Sequence, residues 1–125
     1  MKNIEIDENT ISHHAICDLH GIKNIDKFDD VEEIGKILQI AAKKAKMVIC
    51  GEVYKKFEPI GITYALLLST SHFVVHIWPE KQFMHLDIFV CAGEGNVKTA
   101  VEYMCKKLNP NMNTSKITYL DRSIF

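Results

Sequence analysis

The chain has 125 residues, 47% of them hydrophobic, which is enough for one buried core and too little for a second domain of ordinary size. Fifteen Lys and Arg residues nearly balance sixteen Asp and Glu, for a formal net charge of −1, so there is no field of one sign to hold nucleic acid or an anionic lipid surface. No apolar run approaches the length needed to cross a bilayer, and the class of ligand left is a small neutral or weakly charged molecule.

The stretch 1–9 is polar and acidic where a secretion signal would be apolar, and Cys17, Cys50, Cys91 and Cys105 form no CxxC pair. Free thiols in a reducing cytoplasm are therefore expected. Residues 11–19 read as a strand ended by His20 and Gly21. From Asp30 onward, Val31, Ile34, Leu38, Ala41 and Ala45 recur at spacings of three and four, with Glu32 and Glu33 in the first turn and Lys43, Lys44 and Lys46 at the end, which predicts an amphipathic helix. Residues 47–54 and 62–69 read as strands separated by Pro59 and Gly61. Another strand covers 72–78 and stops at Pro79. Met84, Leu86, Ile88 and Val90 then alternate with His85, Asp87, Phe89 and Cys91, the pattern of a half-buried strand. Asn96 caps a second helix with apolar positions at Val97, Ala100, Val101, Met104 and Leu108, and residues 115–121 give a last strand.

Two helices cannot cover both faces of five or six strands. The expected fold is an α+β two-layer sandwich of a single domain, residues 1–125, with a mainly antiparallel sheet and two helices on one face. The open sheet face would then need a partner, and a homodimer through sheet faces or edges is expected.

Reactive side chains crowd between Thr63 and Cys91: Ser69, Thr70, Ser71, His72, His76, Glu80, His85 and Asp87 all lie there. His72 and His76 would share one face of a helix as zinc ligands, but Phe73, Val74, Val75 and Ile77 favour a strand, where residues four apart are about 13 Å from each other. No metal site is expected. A Ser or Cys hydrolase would need an elbow of the Gly-x-Ser-x-Gly kind, which the sequence lacks. Taken singly, Ser71 is a strand-end hydroxyl, His76 a satisfied core histidine and Cys91 a small buried hydrophobe. Their joint spacing is what calls for another account.

The run Ser69-Thr-Ser-His-Phe-Val-Val-His-Ile-Trp-Pro-Glu80, followed by Leu86-Asp-Ile-Phe-Val-Cys91, resembles the core of the prokaryotic pyruvoyl-dependent S-adenosylmethionine decarboxylases. His14-Ala-Ile-Cys-Asp-Leu is similar to that family's opening strand, and Phe57-Glu-Pro-Ile-Gly61 to its loop before the cleavage strand. The resemblance implies a proenzyme that cuts itself between Thr70 and Ser71 into 1–70 and 71–125. The Ser71 hydroxyl would attack the Thr70 carbonyl, and elimination from the resulting ester would leave a pyruvoyl group at the start of the second chain. Decarboxylation needs an electron sink that no side chain offers, and such a carbonyl is one. By the same resemblance His76 is the base of processing, Thr63 its hydroxyl helper and Cys91 the later proton donor. Phe57 and Trp78 would flank the adenine of S-adenosylmethionine and Glu80 would hold the ribose.

Two positions depart from the family: Thr70 stands where Glu is usual before the serine, and Thr63 where Ser is usual. The implied product is the aminopropyl donor for spermidine synthesis. A second expectation keeps the cofactor and takes arginine or ornithine. A third, which Thr70 keeps open, is an uncleaved paralogue that binds and regulates a partner decarboxylase. On an ideal strand Ser71 and His76 have opposite parity, so a bulge or bend is expected near the serine.

Overall fold

The structure is a computed structural model that describes residues 10–123, and the polar stretch 1–9 lies outside the described residues. Strands β1 (Thr10–Leu19), β2 (Ile49–Lys56), β3 (Ile62–Leu68), β4 (His72–Trp78), β5 (Phe83–Cys91) and β6 (Lys116–Ser123) form one sheet in the order β2-β3-β4-β5-β1-β6. Every neighbouring pair is antiparallel. Helices α2 (Val31–Lys44) and α3 (Val97–Leu108) begin where the sequence places caps: the Asp30 carboxylate accepts from the Glu33 N–H at 3.0 Å and the Asn96 side chain from the Thr99 N–H at 3.2 Å. A one-turn helix, α1 (Ile25–Phe28), adds to the two expected. Its Ile25 and Phe28 point into the core, but four residues are too few to show a period.

The helices cover one face. Ile34, Leu38 and Ala41 of α2 and Ala100, Val101 and Met104 of α3 pack on Phe73 and Val75 of β4, Leu86 and Ile88 of β5, and Ala15 and Cys17 of β1. Fully burying one such Leu or Ile contributes about 2 kcal/mol, so this layer dominates the stability of the fold. Gly35 lets α2 sit down on β3, since a Cβ there would lie 2.6 Å from the Tyr64 hydroxyl oxygen.

The opposite face carries no helix. It presents His72, Val74, His76 and Trp78 from β4 and His85, Asp87, Phe89 and Cys91 from β5, none of them fully buried. Val53 and Leu67 are more than half exposed beside them. The register of β4 with both neighbours runs without a shift from His72 to Trp78, and the chain bends at Ser69 and Thr70, immediately before the serine. No helix among the described residues is long and apolar enough to cross a membrane.

Candidate active site

The site candidates fall into two groups at opposite ends of β4. At its start, Ser69 and Thr70 form a two-residue hairpin loop closed by the Leu68 N–H donating to the Ser71 carbonyl at 2.9 Å. Ser71 is 8% exposed, and its Oγ accepts the Cys91 N–H at 3.0 Å. The Cys91 thiol in turn faces the Thr70 carbonyl oxygen at 3.5 Å. One residue of β5 thus grips both sides of the Thr70–Ser71 peptide. Glu94, in the turn after β5, accepts from the hydroxyls of both Ser69 and Thr70. Ser12 lies opposite Cys91 in β1, and its buried hydroxyl finds no hydrogen-bond partner among the described residues.

At the other end, Thr63 of β3 and His76 of β4 are register partners, and Thr63 Oγ1 lies 2.8 Å from His76 Nδ1. Burial and then the neighbouring His85 push the His76 pKa below its ordinary value, against a smaller opposing pull from Asp87. Both causes favour the neutral imidazole, the form a base needs. Thr63 and His76 border an open cleft of ≈ 380 Å³ whose lining includes Phe57, Trp78 and Glu80. All three residues expected to bind substrate therefore meet in one place. Both aromatic rings are nearly half exposed.

The loop that carries Phe57 is tied down by a residue that sequence reasoning missed. Asp29, between α1 and α2, accepts the Gly61 N–H at 3.0 Å and pairs with Lys56 Nζ at 2.8 Å, and the Phe57 N–H donates to the Gly61 carbonyl at 2.8 Å. Gly61 has φ +105°, a conformation that favours glycine. Nothing in the sequence marks Asp29, whose partners lie about thirty residues downstream. Glu94 and Ser12 were likewise silent, since each acquires its place only through strand pairing.

The two groups do not meet within one chain. His76 stands five residues beyond Ser71, and the extended strand that begins at His72 separates the two by roughly 16 Å. Between them, His14 and His72 both contact Asp87 Oδ1, at 2.7 and 3.0 Å. Burial pushes the Asp87 carboxyl up, but the two imidazoles outweigh it and hold the group below the ordinary carboxylate range. Burial drives the Cys17 thiol up to about 12 and also raises Cys105, as fits thiols that serve packing.

Comparison with known proteins bears on both groups. The profile of the S-adenosylmethionine decarboxylase family matches residues 13–123. The S-adenosylmethionine decarboxylase proenzyme of Sulfurihydrogenibium sp. (strain YO3AOP1) is 34% identical over 110 residues, covering 88% of this chain and 82% of the relative. The proenzyme of the same name from Archaeoglobus fulgidus is 33% identical over 100 residues, covering 80% and 88%. The crystal structure of the adenosylmethionine decarboxylase from Aquifex aeolicus superposes with a TM-score of 0.84 at 31% identity, over 94% of each chain. These likenesses extend over the sheet, the three helices and the whole stretch from Thr63 to Cys91, and the chain belongs to the S-adenosylmethionine decarboxylase family.

Proposed function

We propose that the chain is a proenzyme that cuts itself between Thr70 and Ser71 and, once cut, decarboxylates S-adenosylmethionine with a pyruvoyl group made from Ser71. The product would be the aminopropyl donor for spermidine synthesis. The observation that carries this reading is the hold of Cys91 on both sides of one peptide bond at a hairpin tip. A serine-derived carbonyl fits the position, because residue 71 would begin a strand that β3 and β5 keep in register after the cut.

Processing starts with Ser71 Oγ attacking the Thr70 carbonyl carbon. The Oγ–C bond forms as the peptide C–N bond breaks, and the hydroxyl proton passes to a base while the nitrogen gains one. Loss of the Cα proton of residue 71 then expels Thr70 as a carboxylate, and hydrolysis of the remaining enamine releases ammonia. Neutral His76, oriented by Thr63, is suited to such proton transfers. Thr70 lacks a carboxylate of its own, but the Glu94 carboxylate sits on its hydroxyl and restores a negative charge beside the cut.

The keto carbonyl of the pyruvoyl group would take up the electrons left when carbon dioxide departs. The chain's own residues do the rest. Phe57 and Trp78 clamp the adenine, Glu80 accepts from the ribose hydroxyls, and the Cys91 thiol returns a proton to the α-carbon.

Because His76 cannot reach its own Ser71, a homodimer completes the site in this reading. Two open sheet faces laid together with strands running oppositely would bring the Thr63–His76 cleft of one copy to the Ser71–Cys91 hairpin of the other. The exposed Val53, Leu67 and Trp78 would lose their water at that contact. Mixing Ser71→Ala protein with His76→Ala protein under conditions of subunit exchange should then restore cutting in the His76→Ala chains. No restoration, with cutting intact in dilute monomer, would place the whole site in one chain.

The substrate is tested by carbon dioxide release from S-adenosylmethionine, arginine and ornithine side by side. Turnover of S-adenosylmethionine alone is expected. Turnover of arginine or ornithine with none of S-adenosylmethionine would overturn the substrate and leave the cofactor in place.

A further inference from the structure

Among the described residues, histidine and aspartate meet at three places in the sheet. Two are simple exposed pairs, His13 with Asp121 at 2.6 Å and His85 with Asp18 at 2.9 Å. The third is built differently. His14 from β1 and His72 from β4 converge from either side on a single oxygen of Asp87 in β5, the strand between them. Their donor atoms lie within 4.8 Å of one another, and no other trio among the described residues meets that geometry.

We propose that His14 Nε2, His72 Nε2 and Asp87 Oδ1 bind one divalent transition-metal cation of the zinc type. Bonds of about 2.1 Å in tetrahedral array place donor atoms roughly 3.4 Å apart. The two measured separations from Asp87, 2.7 and 3.0 Å, need to open by less than about 1 Å to reach that spacing. Phe89 is the register partner of both histidines and holds their rings, stacked on His72 at 5.5 Å and edge-on to His14 at 5.8 Å. Asp87 itself is flanked in register by Val74 and Ile16. The Asp87 carboxylate thus presents one oxygen to both rings between apolar neighbours, a set of three donors facing one point.

Two imidazoles and one carboxylate are borderline donors that select zinc, cobalt or iron over magnesium and calcium. Each imidazole would carry its proton on Nδ1 and present the Nε2 lone pair. The fourth position points off the helix-free sheet face, where water or a group of the second copy can complete the tetrahedron. The cation would cross-link three adjacent strands beside His72, the residue that follows Ser71. The zinc reading that fails for His72 with His76 thus succeeds with partners on other strands. It stands apart from the decarboxylase reading and can fail without it.

The test uses the full chain after removal of metal with a chelator, titrated with Zn(II) by calorimetry and with Co(II) in the visible range. One ion per chain is expected, with visible Co(II) bands typical of nitrogen and oxygen ligands and a melting temperature raised by roughly 5 °C or more near saturation. Asp87→Asn, His14→Ala and His72→Ala should each weaken Zn(II) binding at least about tenfold, taking as a floor the 10–100-fold typical of losing even an outer-shell partner. His13→Ala, His85→Ala and Cys50→Ser should leave it unchanged. Absence of binding to the wild type overturns the proposal, as does binding that survives Asp87→Asn or is lost with His85→Ala or Cys50→Ser. An intense near-ultraviolet cobalt–thiolate band in the wild type also overturns it, and that reading needs no variant to fold.

Discussion

The two ends of β4 do different work with the same kind of strand. At the Ser71 end the chain turns tightly, and hydrogen bonds from Cys91 and to Glu94 fix one peptide bond and its flanking hydroxyls. At the Trp78 end the strand opens into a cleft, with one buried-side contact between Thr63 and His76 and two half-exposed aromatic rings. The first end has the rigidity that bond-making needs, and the second has the space and apolar surface that a nucleoside needs. Chemistry and recognition are thus held apart at the two ends of one strand, and in the proposed reading a second copy brings them together.

Ser71→Ala should have the largest effect. It removes the attacking oxygen, so one full-length chain is expected on a denaturing gel with no detectable carbon dioxide release. Two fragments from this variant would move the cut elsewhere. Cys91→Ala separates the roles within the first end: some cutting should persist while turnover of the cut protein falls by about 10²-fold or more, the scale of one lost proton donor. Equal kinetics in single-turnover assays would remove the thiol from the mechanism.

Trp78→Ala tests the second end. Stacking adds on the order of 1 kcal/mol beyond the area buried, so S-adenosylmethionine binding should weaken by roughly tenfold with the rate of cutting unchanged. Slower cutting would show that the two ends are not separable.

Much of this division was legible in the sequence, and for stated reasons. Val31, Ile34, Leu38 and Ala41 mark α2 by their spacing, and the alternation from Met84 to Cys91 marks β5 and its open face. The opposite parity of Ser71 and His76 was also legible, and the irregularity expected near the serine is the bend at Ser69 and Thr70, with no shift of register inside β4. Strand order was not legible, because placing β1 between β5 and β6 depends on pairings across about seventy to one hundred residues. For the same reason neither the His14–Asp87–His72 group nor the hold of Asp29 on the Phe57 loop could be read from local pattern.

Smaller effects sharpen the comparison further. Protonation of His76 should stop its action as a base, so the cutting rate should fall as pH drops through its pKa. That pKa is held below the ordinary value by burial and by His85, which puts the acid limb at lower pH than an ordinary histidine would give. His85→Ala removes the second cause and should move the limb upward, as measured by fragment formation against pH. A limb that stays in place would assign the base to another group. Asp29→Asn keeps the shape but loses the ion pair with Lys56 and weakens the bond to Gly61. A loss of about 1–2 kcal/mol in denaturant unfolding and a few-fold rise in KM are expected, with cutting unaffected.

The most direct test of the central claim is the intact mass of the purified protein, with and without a carbonyl reagent such as phenylhydrazine. The account predicts two fragments, the first ending at Thr70 and the second beginning at position 71 with a keto group that takes up one equivalent of the reagent. A single unmodified chain that nevertheless releases carbon dioxide from S-adenosylmethionine would contradict it.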